Sequence, residues 1–132
     1  MPCRWDSRPG LVVYRYDAPL FFANAQDFRR RALAAAGHGP GRARWFVLNT
    51  EANVEVDFTA LEAVEAVRAE LGRRGTIFAL ARVKQDLLDD LEAFGLAGKI
   101  GAQHIFPTLP TAVVVYRQWA RQHPPPGPDS MT

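Results

Sequence analysis

Asp57 and Thr59 stand two residues apart at the predicted start of a helix, where a carboxylate and a hydroxyl can serve an anion site or a phosphorylation site. The first residues of a helix carry amide groups without intrahelical acceptors and a partial positive charge, and both features attract anions. The simpler alternative is that Asp57 or Thr59 caps the helix while Phe58 packs nearby. The residues alone leave both interpretations open.

The sequence predicts neither an enzyme nor a metal protein. The histidines His38, His104 and His123 lie in separate loops or near the tail, without the cysteine or carboxylate spacing of a metal site. Ser7 and Ser130 are the only serines, and both lie in end segments that would not hold a nucleophile rigidly. We therefore expect no catalytic residue and no required cofactor.

Composition favours one folded domain. The 132 residues are 48% hydrophobic and 23% charged, which is typical of a globular chain with a packed core. The net charge of +2 is too small to indicate nucleic-acid binding, and a single cysteine, Cys3, excludes an internal disulfide. No stretch approaches the ~20 apolar residues that span a bilayer, so we expect this segment alone to be soluble.

The elements that would position Asp57 and Thr59 alternate between strands and helices. Predicted strands cover 11–16, 20–22, 45–48, 77–81 and a short edge strand at 104–106. Predicted helices cover 25–36, a span from Thr59 as its cap to about Arg74, 85–94 and 110–121, with glycines at 37, 75 and 95 as stops. The first two strands are expected to pair antiparallel across a turn. The β-α-β-α-β order that follows predicts a largely parallel sheet covered by helices.

The signals for the last helix conflict, because residues 112–116 have strand propensity whereas Thr108 and Pro110 are typical of a helix start. The helical spacing of Ala112, Val113 and Tyr116 favours the helix. We expect an N-terminal segment at 1–8, a domain at 9–121 and a disordered Pro-rich tail at 122–132.

The chain resembles a STAS domain of the type found in SulP anion transporters and in anti-sigma factor antagonists. Asp57-Phe58-Thr59 resembles the Asp-x-Ser/Thr motif before the second helix, in which antagonists carry a phosphorylatable hydroxyl at the position of Thr59. Antagonists typically have Asp-Ser-Ser-Gly there, whereas this chain has Phe58 and Ala60. The SulP branch accepts a variable middle residue. Its members also resemble this chain at 19–25, 44–48, 75–82 and 105–108.

The resemblance implies an α/β STAS fold with a mixed, mostly parallel sheet of four to six strands, an antiparallel first hairpin and four or five helices. It implies a regulatory, cytoplasmic domain of a SulP-type sulfate or anion transporter at the inner face of the cell membrane. Its partners would be its own transmembrane domain, other STAS copies or soluble regulatory proteins. The alternative is a free-standing anti-sigma factor antagonist phosphorylated at Thr59.

The resemblance also implies a nucleotide site, since STAS domains have been proposed to bind guanine or adenine nucleotides such as GDP, GTP or ATP. Strand ends that face helix N-termini are a suitable place for phosphates. Lys84 and Arg82 would contact phosphates, and Phe58 or Phe21 would stack on the base. The predicted nucleotide or anion site consists of Phe21, Asp57, Phe58, Thr59, Ala60, Leu61, Arg82 and Lys84.

Overall fold

The computed structural model describes residues 3–8, 10–16, 25–37, 42–50 and 58–124. Five strands are present in this part of the chain: β1 (Cys3–Arg8), β2 (Leu11–Tyr16), β3 (Trp45–Asn49), β4 (Ile77–Ala81) and β5 (Ile105–Phe106). The helices are α1 (Ala25–Ala36), α2 (Phe58–Arg73), α3 (Gln85–Phe94), α4 (Leu96–Ile100) and α5 (Leu109–Gln122), with a short 3-10 turn at Ala102–His104.

The strands form one sheet in the order β1-β2-β3-β4-β5. β1 pairs antiparallel with β2, and the remaining pairs are parallel, with Val13 opposite Val47 and Val47 opposite Ala79. From β2 to β5, each strand lies next to the preceding strand of the chain, and the sheet grows in one direction. Because such crossovers are right-handed, α1 to α4 pack on one face of the sheet, and α5 packs on the other.

The larger core lies between the sheet and α1 to α4. Strand side chains at alternate positions point into it, including the fully buried Tyr14, Phe46 and Leu48. Phe46 stacks on Phe78 with ring centroids 6.0 Å apart. β3 is buried at every position, so this strand is covered on both faces of the sheet.

The smaller core on the α5 face is built around the aromatic ring of Trp45, which is 1% exposed. Tyr116 contacts it edge-on at 5.6 Å, and Trp119 lies 5.8 Å away. The Arg44 guanidinium sits 4.5 Å from the Trp119 ring centroid and donates a hydrogen bond to the backbone oxygen of His123. These contacts fix α5 against the start of β3. Burial raises the pKa of Tyr116, and the positive charge of Arg44 partly opposes that rise.

Several predicted elements are confirmed, among them α1, α3 and β4 over the expected residues and α5 as a helix. Thr108 caps α5 by accepting a hydrogen bond from the Thr111 amide at 3.2 Å. The expected short strand before α5 is present as β5 at the edge of the sheet. The fold prediction of an α/β, mostly parallel sheet with an antiparallel first hairpin therefore holds.

The prediction of which two strands form that hairpin was wrong. The antiparallel partner of β2 is β1, whereas the partner expected from the sequence was residues 20–22. β1 and β3 occupy the two edges of β2, and residues 20–22 lie outside the described part of the chain. Residues 17–24 lie outside the described part of the chain, as does most of the Pro-rich tail.

Two further differences concern helices. α2 begins at Phe58, so Thr59 is its second residue and not its cap, and the cap position falls outside the described residues. α4 was not predicted; it follows Gly95, which ends α3 with φ 84°. Among the described residues, no helix is long and apolar enough to cross a membrane.

Candidate functional site

The carboxyl ends of the parallel strands define one edge of the sheet, which we call the carboxyl edge. β2, β3 and β4 end there, and the helices that follow them begin at Ala25, Phe58 and Gln85. The amino-terminal ends of α1, α2 and α3 therefore face the same edge and bring their partial positive charges to it. The topology thus places Phe58, Thr59, Arg82 and Lys84 near this edge.

Phe58 is the first residue of α2 and is 63% exposed. Its ring meets the edge of Phe94 with centroids 4.8 Å apart and an interplanar angle of 76°. The two rings form part of a groove of about 300 Å³ between the start of α2 and the end of α3. We call this the Phe58–Phe94 groove; its lining residues are Phe58, Leu61, Asp90, Ala93 and Phe94.

Thr59 opens to a different groove. It is half-buried and lines a depression of about 240 Å³ between α1 and α2. The residues that line this α1–α2 groove are Ala25, Gln26, Arg29, Thr59, Glu62, Ala63 and Ala66. Arg29 is exposed and brings a positive charge to the same groove that Thr59 lines. The structure therefore separates Phe58 and Thr59, which the sequence analysis had placed in one site, onto two sides of the α2 start.

Ala60 and Leu61 belong mainly to the core. Ala60 is 0% exposed and Leu61 is 6% exposed. A ligand at the start of α2 could contact Leu61, which lines the Phe58–Phe94 groove. The same ligand could not contact the methyl group of Ala60, because that residue is fully buried.

Arg82 has a backbone conformation that only glycine adopts readily. Its φ is +59°, and it is the one residue other than glycine with positive φ in the described part of the chain. The conformation is held by neighbouring strands: the Arg82 amide donates to the oxygen of Phe106 at 3.0 Å, and the hydroxyl of Thr50 donates to the oxygen of Arg82 at 3.1 Å. Strained residues held in this way are common at functional sites.

Lys84 precedes α3 in an extended conformation, with φ −80° and ψ 158°, and its side chain makes no capping hydrogen bond. Lys84 and Arg82 are both exposed, and within the described residues neither lines the two grooves. They lie on the β4 to α3 connection at the carboxyl edge, where a phosphate could approach the start of α3. Asp57 and Phe21 fall outside the described residues, so their predicted roles stay predictions.

Sequence reasoning missed three residues that the structure brings to these grooves: Arg29, Asp90 and Phe94. Arg29 falls in a run of three arginines, and such a run by itself is typical of a solvated helix face. Phe94 lies three residues after the buried Leu91, and this spacing is typical of a core position. Only the packing of α2 beside α3 reveals that its ring faces Phe58.

The electrostatics around α2 are dominated by local ion pairs. Arg68 donates to both carboxylate oxygens of Glu65, at 2.7 and 2.8 Å, and Lys99 lies 3.6 Å from the same carboxylate. The hydrogen bonds from Arg68 hold the pKa of Glu65 below its usual value, and burial partly opposes this. In the described part of the chain no group of three or more histidine, cysteine, aspartate or glutamate residues could hold a metal ion.

A family model described as "STAS domain" matches residues 4–112. Over 110 residues the chain is 64% identical to "Probable sulfate transporter Rv1739c" of Mycobacterium tuberculosis, an alignment that covers 83% of this chain and 20% of that protein. The chain therefore spans about a fifth of the length of this curated relative.

Solved structures share the fold. The STAS domain of a SulP transporter from Vibrio cholerae superimposes with a TM-score of 0.74 at 19% identity, covering 89% of this chain and 88% of that one. A Thermotoga maritima protein assigned as an anti-sigma factor antagonist gives the same TM-score of 0.74 at 16% identity, covering 86% of this chain and 93% of that one. The backbone fold alone does not distinguish the two kinds of protein.

Proposed function

Because this chain belongs to the STAS domain family, we propose that it is the cytoplasmic regulatory domain of a SulP-type sulfate or anion transporter. The observation that carries the proposal is the 64% identity to part of a protein named as a probable sulfate transporter. Identity at that level extends over most of the present chain, so it includes surface positions as well as the core. A regulatory role is consistent with a site built from grooves and helix ends.

In this proposal the domain lies at the cytoplasmic face of the cell membrane and regulates transport through protein contacts. Its partners are the transmembrane domain of its own transporter, other STAS copies and soluble regulators. The exposed Phe58 and the two grooves at the start of α2 supply surfaces for such contacts. Transport itself takes place in the membrane domain.

The test begins with the full-length open reading frame. We expect a series of hydrophobic spans before this segment, and sulfate uptake when the full-length protein is expressed in cells that lack their own sulfate uptake. A version truncated before residue 4 should reach the membrane but transport more slowly. An open reading frame that starts at Met1 with no spans, or full-length protein that transports no anion, would refute the proposal.

We also propose that the carboxyl edge binds a guanine or adenine nucleotide through Lys84 and Arg82. Support comes from two exposed cations next to the start of α3, and from the convergence of three helix amino termini at this edge. Phe58 is the described aromatic residue with enough exposure to stack on a base.

Isothermal titration of the 132-residue chain with GDP and ATP tests the nucleotide proposal. Saturable heat is expected, with affinity reduced about tenfold by Lys84→Ala, because one charged contact to phosphate contributes on the order of 1.4 kcal/mol. Lys99→Ala is the matched control, since Lys99 pairs with Glu65 on α2 and should leave affinity unchanged. Absence of saturable heat with both nucleotides rejects the proposal.

A second candidate function is a free-standing anti-sigma factor antagonist phosphorylated at Thr59. It is favoured by the likeness in fold to the Thermotoga maritima protein and by the position of Thr59 in an open groove beside Arg29. A natural start at Met1 beside a kinase gene, and phosphate transfer that Thr59→Ala abolishes, would support it. A kinase that leaves the chain unmodified would exclude it.

A further inference from the structure

In the described part of the chain, three of the four acidic residues of α1 and α2 form ion pairs, whereas none of those on α3 does. On α1 and α2, Asp27, Glu65 and Glu70 each pair with at least one basic side chain within 4 Å. In each pair the basic side chain neutralises the negative charge of the neighbouring carboxylate. Glu62 is the one acidic residue of these two helices without such a pair among the described residues, and α1 carries an excess of basic residues.

α3 contains four acidic residues and no basic residue: Asp86, Asp89, Asp90 and Glu92. None of the four forms an ion pair with any residue that the structure describes, and Asp89 only accepts a hydrogen bond from Gln85 at 2.8 Å. Asp86 and Asp90 are one helical turn apart, so two like charges lie side by side on the same face. That face also carries Ala93 and Phe94.

The Phe58–Phe94 groove thus joins two properties that are unfavourable in water. Its wall is an aromatic ring that is 63% exposed, and its rim is the unneutralised Asp90 carboxylate with Asp86 one turn away. An occupant with an apolar side chain followed by a positive charge would cover the exposed Phe58 ring and neutralise the carboxylates at the rim.

Building on the proposed transporter function, we propose that the Phe58–Phe94 groove docks a Lys/Arg-bearing cytoplasmic loop of the transporter's own membrane domain. One apolar side chain of the loop inserts between Phe58 and Phe94, and an adjacent basic side chain pairs with Asp90 and Asp86. The groove of about 300 Å³ has room for one large side chain and not for a whole helix.

The choice of occupant follows from charge and from the length of the relatives. Cytoplasmic loops of membrane proteins carry an excess of lysine and arginine, so they match an acidic rim. The chain accounts for about a fifth of the related transporter, which leaves several hundred residues of the same polypeptide close by. A tethered loop also docks at a high effective concentration, so a small groove is sufficient.

Fluorescence anisotropy with labelled peptides tests the inference in solution. The probes are about 20 residues long and cover each predicted cytoplasmic loop, and the protein is the 132-residue chain. At least one loop peptide should bind saturably, more weakly as NaCl is raised from about 50 to about 500 mM. Phe58→Ala should weaken binding about tenfold, and Asp90→Asn about threefold with a shallower dependence on salt.

Two matched variants separate the groove from general acidity or hydrophobicity. Glu92→Gln removes the same charge from α3 two residues from Asp90, where the side chain points to another face. Val114→Ala trims an apolar residue that is 51% exposed on α5, which packs on the opposite face of the sheet. Both should change affinity less than twofold. Equal losses in Glu92→Gln and Asp90→Asn, or equal binding of a scrambled peptide, would overturn the inference.

A photo-crosslinking amino acid at position 58 of the full-length protein in membranes gives a second readout, with position 114 as the control. We expect a cross-link from position 58 to a cytoplasmic loop of the transporter. A cross-link only to another STAS copy or to a soluble protein, or none in a protein that does transport sulfate, overturns the groove assignment and leaves the proposed function standing. Absence of membrane spans in the gene would remove the proposed function itself.

Discussion

Replacing Gly10 by alanine should destabilise the domain strongly, because this residue lies where the β1–β2 turn meets α5. Gly10 has φ +81°, and its carbonyl accepts hydrogen bonds from the amides of Arg44 and Trp45 at 2.7 and 3.0 Å. A Cβ atom built on Gly10 would lie 2.6 Å from the Tyr116 hydroxyl oxygen and 2.9 Å from Cδ of Arg44.

The magnitude follows from two costs and one compensation. Left-handed backbone costs a residue with a Cβ about 1–2 kcal/mol. Overpacking costs about 1–3 kcal/mol, since Tyr116 is buried against Trp45 and Arg44 is held over Trp119, so neither can yield easily. Reduced freedom of the unfolded chain returns about 0.4–1 kcal/mol. The expected net loss of unfolding free energy is about 1–5 kcal/mol, and about 3 kcal/mol at the middle of these ranges.

Urea denaturation followed by circular dichroism measures this loss, and Gly72→Ala is the matched control. Gly72 lies in α2 with helical backbone and has no atom within 4 Å of a built Cβ. Alanine there should stabilise by about 0.5–1 kcal/mol through helix propensity. A Gly10→Ala loss below about 1 kcal/mol would refute the reasoning, because it would mean that Tyr116 and Arg44 are not fixed by the aromatic cluster.

Two further changes test the hydrogen bonds and ion pairs near the site. Thr50→Val should cost about 1–3 kcal/mol in urea unfolding, since the buried hydroxyl donates to the oxygens of Ala81 and Arg82 at 3.0 and 3.1 Å and valine leaves the latter without this donor. Glu65→Gln should lower stability at pH 7 by less than about 1 kcal/mol, because the ion pair with Arg68 is partly exposed. The folded pKa of Glu65 is depressed, so its contribution is present above the ordinary value of 4.5 and is lost as the pH falls through the folded pKa. The difference between wild type and Glu65→Gln should therefore vanish in acid; a constant difference from pH 7 to pH 3 would contradict this origin.

The elements that sequence predicted best are those with strong local signals at their ends. α3 ends at Gly95 with φ 84°, and Gly75, with φ 80°, separates α2 from β4. Such positions require backbone that glycine adopts without strain, so they mark helix ends independently of tertiary contacts. α5 was also predicted correctly because its cap, Thr108, and the proline that follows are local signals that outweigh the strand propensity of its valines.

β1 was missed because its signal is not local. The sequence Cys-Arg-Trp-Asp-Ser-Arg lacks an apolar run and contains three charged residues, as edge strands often do to discourage pairing with other chains. Its place in the sheet comes from hydrogen bonds to β2, with Cys3 opposite Tyr16 and Arg8 opposite Leu11. Pattern reasoning that looks for hydrophobic periodicity has nothing to detect in such a strand.

The candidate site was predictable to the level of the sheet edge and no further. Strand and helix order place Phe58, Thr59, Arg82 and Lys84 at the carboxyl ends of parallel strands. Which groove each side chain enters depends on neighbours from α1 and α3, about 30 residues away in either direction along the chain. Successive residues of a helix point about 100° apart, so Phe58 and Thr59 separate as soon as α2 has neighbours on both sides.

The surroundings of Phe58 and Ala60 explain what these two residues do in place of the first serine and the glycine of the antagonist pattern Asp-Ser-Ser-Gly. Ala60 is fully buried, so a small side chain there satisfies packing. Phe58 is 63% exposed, and burying the rest of its ring would contribute about 1–2 kcal/mol to a partner. A phosphate on Thr59 would instead enter the groove that holds Arg29, on the other side of α2. An apolar partner at Phe58 and a phosphate at Thr59 therefore occupy separate surfaces, so docking at the Phe58–Phe94 groove does not require the phosphorylation on which an antagonist depends.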